Sequence, residues 1–319
     1  MINAASIRLT SGSTIATFAP ASASATTSTA TANNTNLVEY TGPIYHVFYH
    51  YLIAYPDLAV SSGEMKYMKD YCVTPLEYQR SLEQLYANDY ILVDINDTYV
   101  KTDNGFAVAT MMLPEGKKPL IMSFDDVNFY QSKHGKGIVD KIILDENGEL
   151  AAYTKHADGT EEISYDNEVI PMLETFCKEH PDFSLNGAKG TLAQTGYDGI
   201  LGYRIQKGSE TRESELEAVK PVVAKLKENG WNFASHGYSH LHSDKVSYEE
   251  LAEDTSLWTE YILPALGDTA IYIYPFGEEV PVDGQKFQML KDYGFEVFCG
   301  TGLKQYMYAR STYVYMDRA

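Results

Sequence analysis

Three of the chain's eight histidines fall within the run "FASHGYSHLH", Phe233 to His242. His236 and His240 are four residues apart, so one turn of irregular or helical backbone can aim both imidazoles at a single ion. His242 competes with His240 for that place. Two imidazoles leave a zinc-type site short, because a catalytic centre takes three protein ligands and keeps a position open for water. A carboxylate is the natural third ligand, and "LIMSFDDV" supplies Asp125 and Asp126 at the end of another apolar run. Asp126 is the candidate. These ligand types also suit other first-row divalent ions, so they leave Zn²⁺, Co²⁺, Ni²⁺ and Mn²⁺ open. Each half taken alone has a plain alternative: a surface loop for the histidines, a helix cap or turn for the aspartates.

The flanking elements decide whether the halves can meet. "TPLEYQRSLEQLYAND" opens with Thr74 as N-cap, Pro75 at N1 and Glu77 closing a capping box. "SYEELAEDTSLWTEYIL" opens with a second box, Ser247 to Glu250. Further helices are expected over "NEVIPMLETFCKEHP", "SELEAVKPVVAKLKENG" and "QKFQMLKDYG", the second interrupted by Pro221 and stopped by Gly230. Strands are expected at "YHVFYHYLI", "YILVDI", "KPLIMSFDD", "FSLNGA", "WNFASH", "AIYIYPFG" and "FEVFCG". Strand–helix alternation means an α/β fold with a parallel sheet or barrel, in which functional residues gather at the carboxyl ends of strands. Asp125, Asp126 and His236 all fall there. Between Gln131 and Tyr165, Asn147-Gly148 and Asp158-Gly159 mark a β-hairpin insertion.

Composition narrows the partners. With 44 acidic and 25 basic residues the formal charge is −19, which argues against nucleic acid, because a phosphate backbone would be repelled. The 26 tyrosines suit stacking on flat faces, sugars among them, although tyrosine is also a routine core residue. Cys72, Cys177 and Cys299 are odd in number and widely spaced, and read as buried apolar residues. Trp231 and Trp258 read as core, and His134, His156 and His180 as solvated loop residues. No run of 18 apolar residues spans a membrane. Residues 1–36, rich in Ser, Thr and Ala, are expected to be a disordered tether or a processed export segment, with the folded domain over 37–319.

Three motifs carry a family resemblance. "SFDDVNFY" resembles the first motif of the polysaccharide deacetylase (NodB-homology) family, "SHGYSHLH" its His-x-x-x-His motif, and "YIYPFG" its third, normally R-x-P-Y/F-G. The early "YHVFYHYLI … TPLEYQRSL" resembles the opening of a circularly permuted subgroup, which includes enzymes acting on poly-N-acetylglucosamine and in which the catalytic histidine comes from this strand. The resemblance implies a deformed (β/α) barrel that removes N-acetyl groups from an extracellular or cell-wall polysaccharide with a divalent metal, zinc first among the possibilities. It implies that Asp126, His236 and His240 hold the metal and that Asp125 is the general base. His50, with His46 as fallback, would be the acid that protonates the departing amine, and the Phe276 N–H would meet the oxyanion. Tyr274, Pro275 and Asn128 would contact substrate. An amide is a poor electrophile, which is why such a reaction calls for a metal.

This chain departs from the family pattern at two motif positions. Ile273 stands where the third motif has the arginine that orients the base, leaving Lys189 or Arg204 as substitutes. Val127 replaces a glycine and would narrow the pocket. "NGAKG" is expected near the mouth, and "TYVYMDRA" is expected to stop short of the family's usual end. The missing arginine also admits a non-catalytic glycan-binding relative, and an O-acetyl esterase is the third reading.

Overall fold

The computed structural model describes residues 36–302 and 306–319. The expected N-terminal tether lies outside the described residues, except for Asn36. Asn36–Ala319 forms one compact unit.

A nine-stranded sheet carries the site. Its order is Met307–Ala309, Val314–Arg318, Val297–Thr301, Ile271–Ile273, Asn232–Ser235, Thr191–Gln194, Lys118–Asp125 and Tyr45–His50, with Tyr90–Leu92 also on Lys118–Asp125. All neighbours are parallel except Met307–Ala309, which runs antiparallel to the last strand. The sheet curls until its ends meet, where Ala319 N–H donates to the His46 carbonyl (3.1 Å) and Phe48 N–H to the Ala319 carbonyl (3.3 Å). The alternation implied a parallel sheet or barrel, and this is the deformed α/β barrel that the resemblance implied.

Side chains alternate across each strand, and here both faces are buried. The outward face, including Leu120, Met122, Phe124, Tyr272 and Phe298, packs with the helices in one apolar cluster. The inward face, including Ile121, Ala193, Ala234, Ile273, Cys299 and Met316, forms a second cluster inside the barrel. Continuing inward positions toward the carboxyl ends leads from Ile121 to Ser123 and Asp125, and from Met316 to Arg318. The same parity runs from Ala234 to His236. The candidate site residues therefore top the columns whose lower members fill the barrel.

Both capping boxes form, at Thr74/Glu77 and Ser247/Glu250. The hairpin insertion is a three-stranded antiparallel sheet of Lys141–Leu144, Leu150–Lys155 and Glu161–Ser164. Two expectations need correction. Pro221 does not interrupt its helix, which runs unbroken over Arg212–Glu228; its ring is on the exposed side and a proline forfeits only one backbone bond. The strand expected at "FSLNGA" lies later, at Thr191–Gln194. Asn186 (φ 54°) and Gly187 (φ 85°) turn the chain back before it. "NGAKG" thus enters the strand from its amino end, away from the cleft mouth.

Candidate active site

Four strand ends converge on one cleft of about 450 Å³. Lys118–Asp125 delivers Asp125 and then Asp126, and Tyr45–His50 runs beside it with His50 in register with Asp125. Asn232–Ser235 leads directly to His236, and the turn after Ile271–Ile273 brings Phe276 to the rim. Asp126, His236 and His240 each offer a ligand atom, and these atoms lie within 4.8 Å of one another. Asp126 Oδ2 is 3.6 Å from His240 Nε2. Asp126, His240 and Phe276 all have positive φ (60°, 54° and 58°). The left-handed region is tolerated by Asp and His but costs about 1–3 kcal/mol for a bulky residue, a strain that collects at functional sites.

Neighbours fix each of these side chains. Nδ1 of His236 is 2.8 Å from the Ile273 carbonyl, which makes it the donor and leaves Nε2 bare toward Asp126. Burial pushes the His236 pKa down, against the pull of Asp125 and Asp126, so the ring is neutral and fit to be a ligand. The Tyr130 hydroxyl donates to Asp126 Oδ1 at 2.6 Å. Asp254 accepts from the Tyr238 and Ser239 N–H groups, both at 2.7 Å, and so shapes the loop between the histidines. Phe276 packs its ring edge-on against His240, 4.4 Å between centroids.

Asp125 is held differently. It is 3% exposed, and Arg318 Nη1 donates to its Oδ1 at 2.7 Å. Burial alone would raise the Asp125 pKa; the charge and hydrogen bond of Arg318, aided by His236, outweigh it and hold the carboxyl well below the usual carboxylate range. The same Nη1 reaches Ser123 Oγ at 3.1 Å, and Ser123 Oγ lies 3.0 Å from His46 Nε2. The guanidinium also sits over the Phe48 ring, 4.5 Å from its centroid.

Residues 200–298 match the family model "Polysaccharide deacetylase". Over that stretch the chain is similar to the polysaccharide deacetylase family. His236, His240 and Phe276 lie inside the matched stretch, and Asp125 and Asp126 precede it. Among solved structures, the chain is similar to the Streptococcus pyogenes deacetylase PplD in complex with acetate. That match has 13% identity, covers 89% of this chain and 93% of that one, and has a TM-score of 0.46. It is also similar to a de-N-acetylase from Aggregatibacter actinomycetemcomitans (14% identity, 82% and 89% coverage, TM-score 0.47). No curated protein sequence matches.

The family motifs settle differently in this fold. Asp125, Asp126, His236, His240, His50 and Phe276 all line the cleft. His242 does not join the ligand cluster; it stacks on Phe276 and pairs with Glu278. His46 is buried below the cleft against Ser123, and burial pushes its pKa well down. Three expected substrate contacts are corrected. Tyr274 has the outward parity of Tyr272 and stacks on Phe298 in the core. Pro275 is buried beneath Gly237. Asn128 is fully buried, bridging to Thr195 N–H (3.3 Å) and the Gly199 carbonyl. Val127 is also buried in the outer core and does not narrow the pocket.

Neither proposed substitute for the motif arginine reaches Asp125. Lys189 bonds to the Gly187 and Asn229 carbonyls, and Arg204 to Phe129 O and Asp198. Arg318 does so instead, and sequence reasoning missed it. Its signal was a charged Asp-Arg pair inside the β-prone "YVYMDRA". Asp254 also left a trace, since it shares the buried face Leu251–Asp254–Thr255–Trp258 of its helix. The three isolated histidines are partnered, not solvated: His134 by Arg204 and Asp140, His156 by Glu162, His180 by Tyr86 and Phe176. Trp258 is core, its Nε1 donating to the Gln194 carbonyl.

Proposed function

We propose that the chain is a metal-dependent N-deacetylase of an N-acetylglucosamine-containing polysaccharide at the cell surface or outside the cell. One observation carries this reading: a cluster of two imidazoles and a carboxylate sits beside a second carboxylate kept ionised by its own arginine. The donor set fits a divalent ion, zinc first, because both rings have bare nitrogens facing Asp126 and the buried ring is neutral. Held by Asp126, His236 and His240, such an ion would polarise the acetyl carbonyl and acidify a water molecule.

The protein's own groups supply the rest. Asp125, ionised by Arg318, takes the proton from the attacking water. His50, across the strand pair from Asp125, gives a proton to the departing amine, a role worth about 10²–10⁴-fold. The Phe276 N–H, presented by a turn in the left-handed region, donates to the oxyanion. Arg318 answers the objection raised by Ile273. The base keeps an arginine, brought by another strand, and this favours turnover over a purely glycan-binding relative.

Acetate release from chito-oligosaccharides, with metal analysis of the purified protein, tests the proposal. Asp126→Ala and His236→Ala are expected to abolish both metal binding and release. Retention of both activities by either variant would refute it. Faster release from acetyl-xylan than from chitin fragments would assign an ester as the substrate bond.

A further inference from the structure

One wall of the cleft lies outside the three motifs that bring Asp125, His236 and Phe276. It is built from the segment after His50, where Tyr51, Tyr67, Tyr71 and Cys72 line the cleft, and from Lys133 beyond Tyr130. Tyr67 and Tyr71 are 58% and 69% exposed, and the Tyr71 ring lies edge-on to His50, 6.1 Å between centroids. Large aromatic faces left open to water beside a reacting centre are platforms for a flat ligand face.

Lys133 adds charge to this wall. Its Nζ donates to the buried Tyr51 hydroxyl at 2.8 Å and lies 5.5 Å from that ring's centroid. Among the described residues no carboxylate pairs with it, which is notable in a chain of net charge −19. The other lining cation, Arg318, is already committed to Asp125. An ammonium has three donors, so Lys133 retains capacity toward the cleft. Within a Debye length of about 8–10 Å this local charge, not the net charge, governs what the cleft accepts.

We propose that this wall is a subsite for a carboxylate-bearing sugar next to the residue that is deacetylated. The sugar ring lies on Tyr71 and Tyr67, and its carboxylate is received by Lys133. The inference rests on the deacetylase reading for the neighbouring sugar, but its own chemistry is binding alone. It makes the preferred substrate an acidic N-acetylated glycan, not a neutral one.

Chitohexaose and chitohexaose oxidised at C6 to carboxylates form a probe pair of identical linkage. Binding of each to the metal-free protein is measured by titration calorimetry, and acetate release by the metal-loaded protein is followed in parallel. The oxidised probe is expected to bind about tenfold more tightly at low salt, with the advantage shrinking at about 0.5 M salt. Lys133→Gln is expected to erase the advantage without changing affinity for the neutral probe, and Lys133→Arg to keep it. Tyr71→Ala is expected to weaken both probes about three- to tenfold. Equal or weaker binding of the oxidised probe by the wild-type protein, or an advantage that survives Lys133→Gln, overturns the subsite. Acetate release from both probes without a binding preference would leave the deacetylase reading standing and this inference refuted. A Lys133-dependent preference without acetate release from either would do the reverse.

Discussion

Two carboxylates in this protein are equally buried and titrate in opposite directions. Asp125 lies on the floor of the cleft against the Arg318 guanidinium, and its pKa falls far below the ordinary range. Glu168 sits at the start of the helix Val169–Glu179, beneath the chain that leaves His50. Among the described residues it accepts only from backbone N–H groups, Val169 at 2.7 Å and Leu52 at 3.2 Å. Burial pushes its pKa up to about 8, more than those two donors pull it down. For these two acids, a pair of backbone donors does not outweigh burial, whereas an adjacent cation does. Asp125 is held in the form that the proposed base requires, whereas Glu168 is a mostly neutral clamp on the segment between the strand that ends at His50 and the aromatic wall.

Removing the cation should collapse the difference. Arg318→Met leaves Asp125 buried beside an apolar chain, and breaking such a pair typically costs about 3–5 kcal/mol. Denaturant unfolding at pH 7 should show a loss of that size, with deacetylation reduced at least about a hundredfold. Arg318→Lys should recover most of the stability and less of the activity, since a lysine has no second nitrogen to keep the Nε bond to the Gly300 carbonyl while its ammonium meets Asp125. Wild-type stability in Arg318→Met would mean that Asp125 does not depend on this partner.

Glu168→Gln tests the opposite member. A carboxyl whose folded pKa lies above its unfolded value contributes stability that is complete below the unfolded pKa and lost as pH rises through the folded one. Wild-type stability should therefore decline between about pH 5 and pH 8, by on the order of 2–3 kcal/mol from this group. The glutamine keeps an acceptor for Leu52 and Val169 but cannot ionise, so its melting profile should be flatter over that window. Parallel profiles for the two proteins would show that Glu168 is already charged when folded.

Asp126 has a different setting: it is partly exposed, with the Tyr130 phenol as donor and the two histidines opposite. Tyr130→Phe removes the 2.6 Å bond and should weaken metal affinity about 10–100-fold, as loss of an outer partner commonly does. Zinc titration against a competing chelator reads this directly, and the stability at pH 7 should change little.

The residue pattern foretold less about these supports than about the groups they support. His236, His240 and Asp126 were legible because metal-ligating types are scarce and their places at strand ends follow from alternation. Arg318 was not, because its contact depends on the sheet closing so that the last strand lies beside the first. Local sequence says nothing of that register. Tyr274 was misplaced for a related reason. In a parallel barrel both strand faces are apolar, so periodicity cannot tell an inward from an outward position. Tyr130 and Glu168 act through contacts made only after folding, and nothing in their own neighbourhoods marks them.

The smallest expected effect asks whether the cleft floor is a pair or a network. Ser123 accepts from Arg318 at 3.1 Å and lies 3.0 Å from His46, so Ser123→Ala cuts the link between them but spares the Arg318–Asp125 contact. A net hydrogen bond of this kind is worth about 1 kcal/mol. Stability should fall by about that much, and kcat only severalfold, because the guanidinium keeps its carboxylate. If Ser123→Ala instead cost as much as Arg318→Met, the ionised state of Asp125 would belong to the whole inward column. The contrast with Glu168 would then lie in how each acid is braced, with the nearest charge only one part of that bracing.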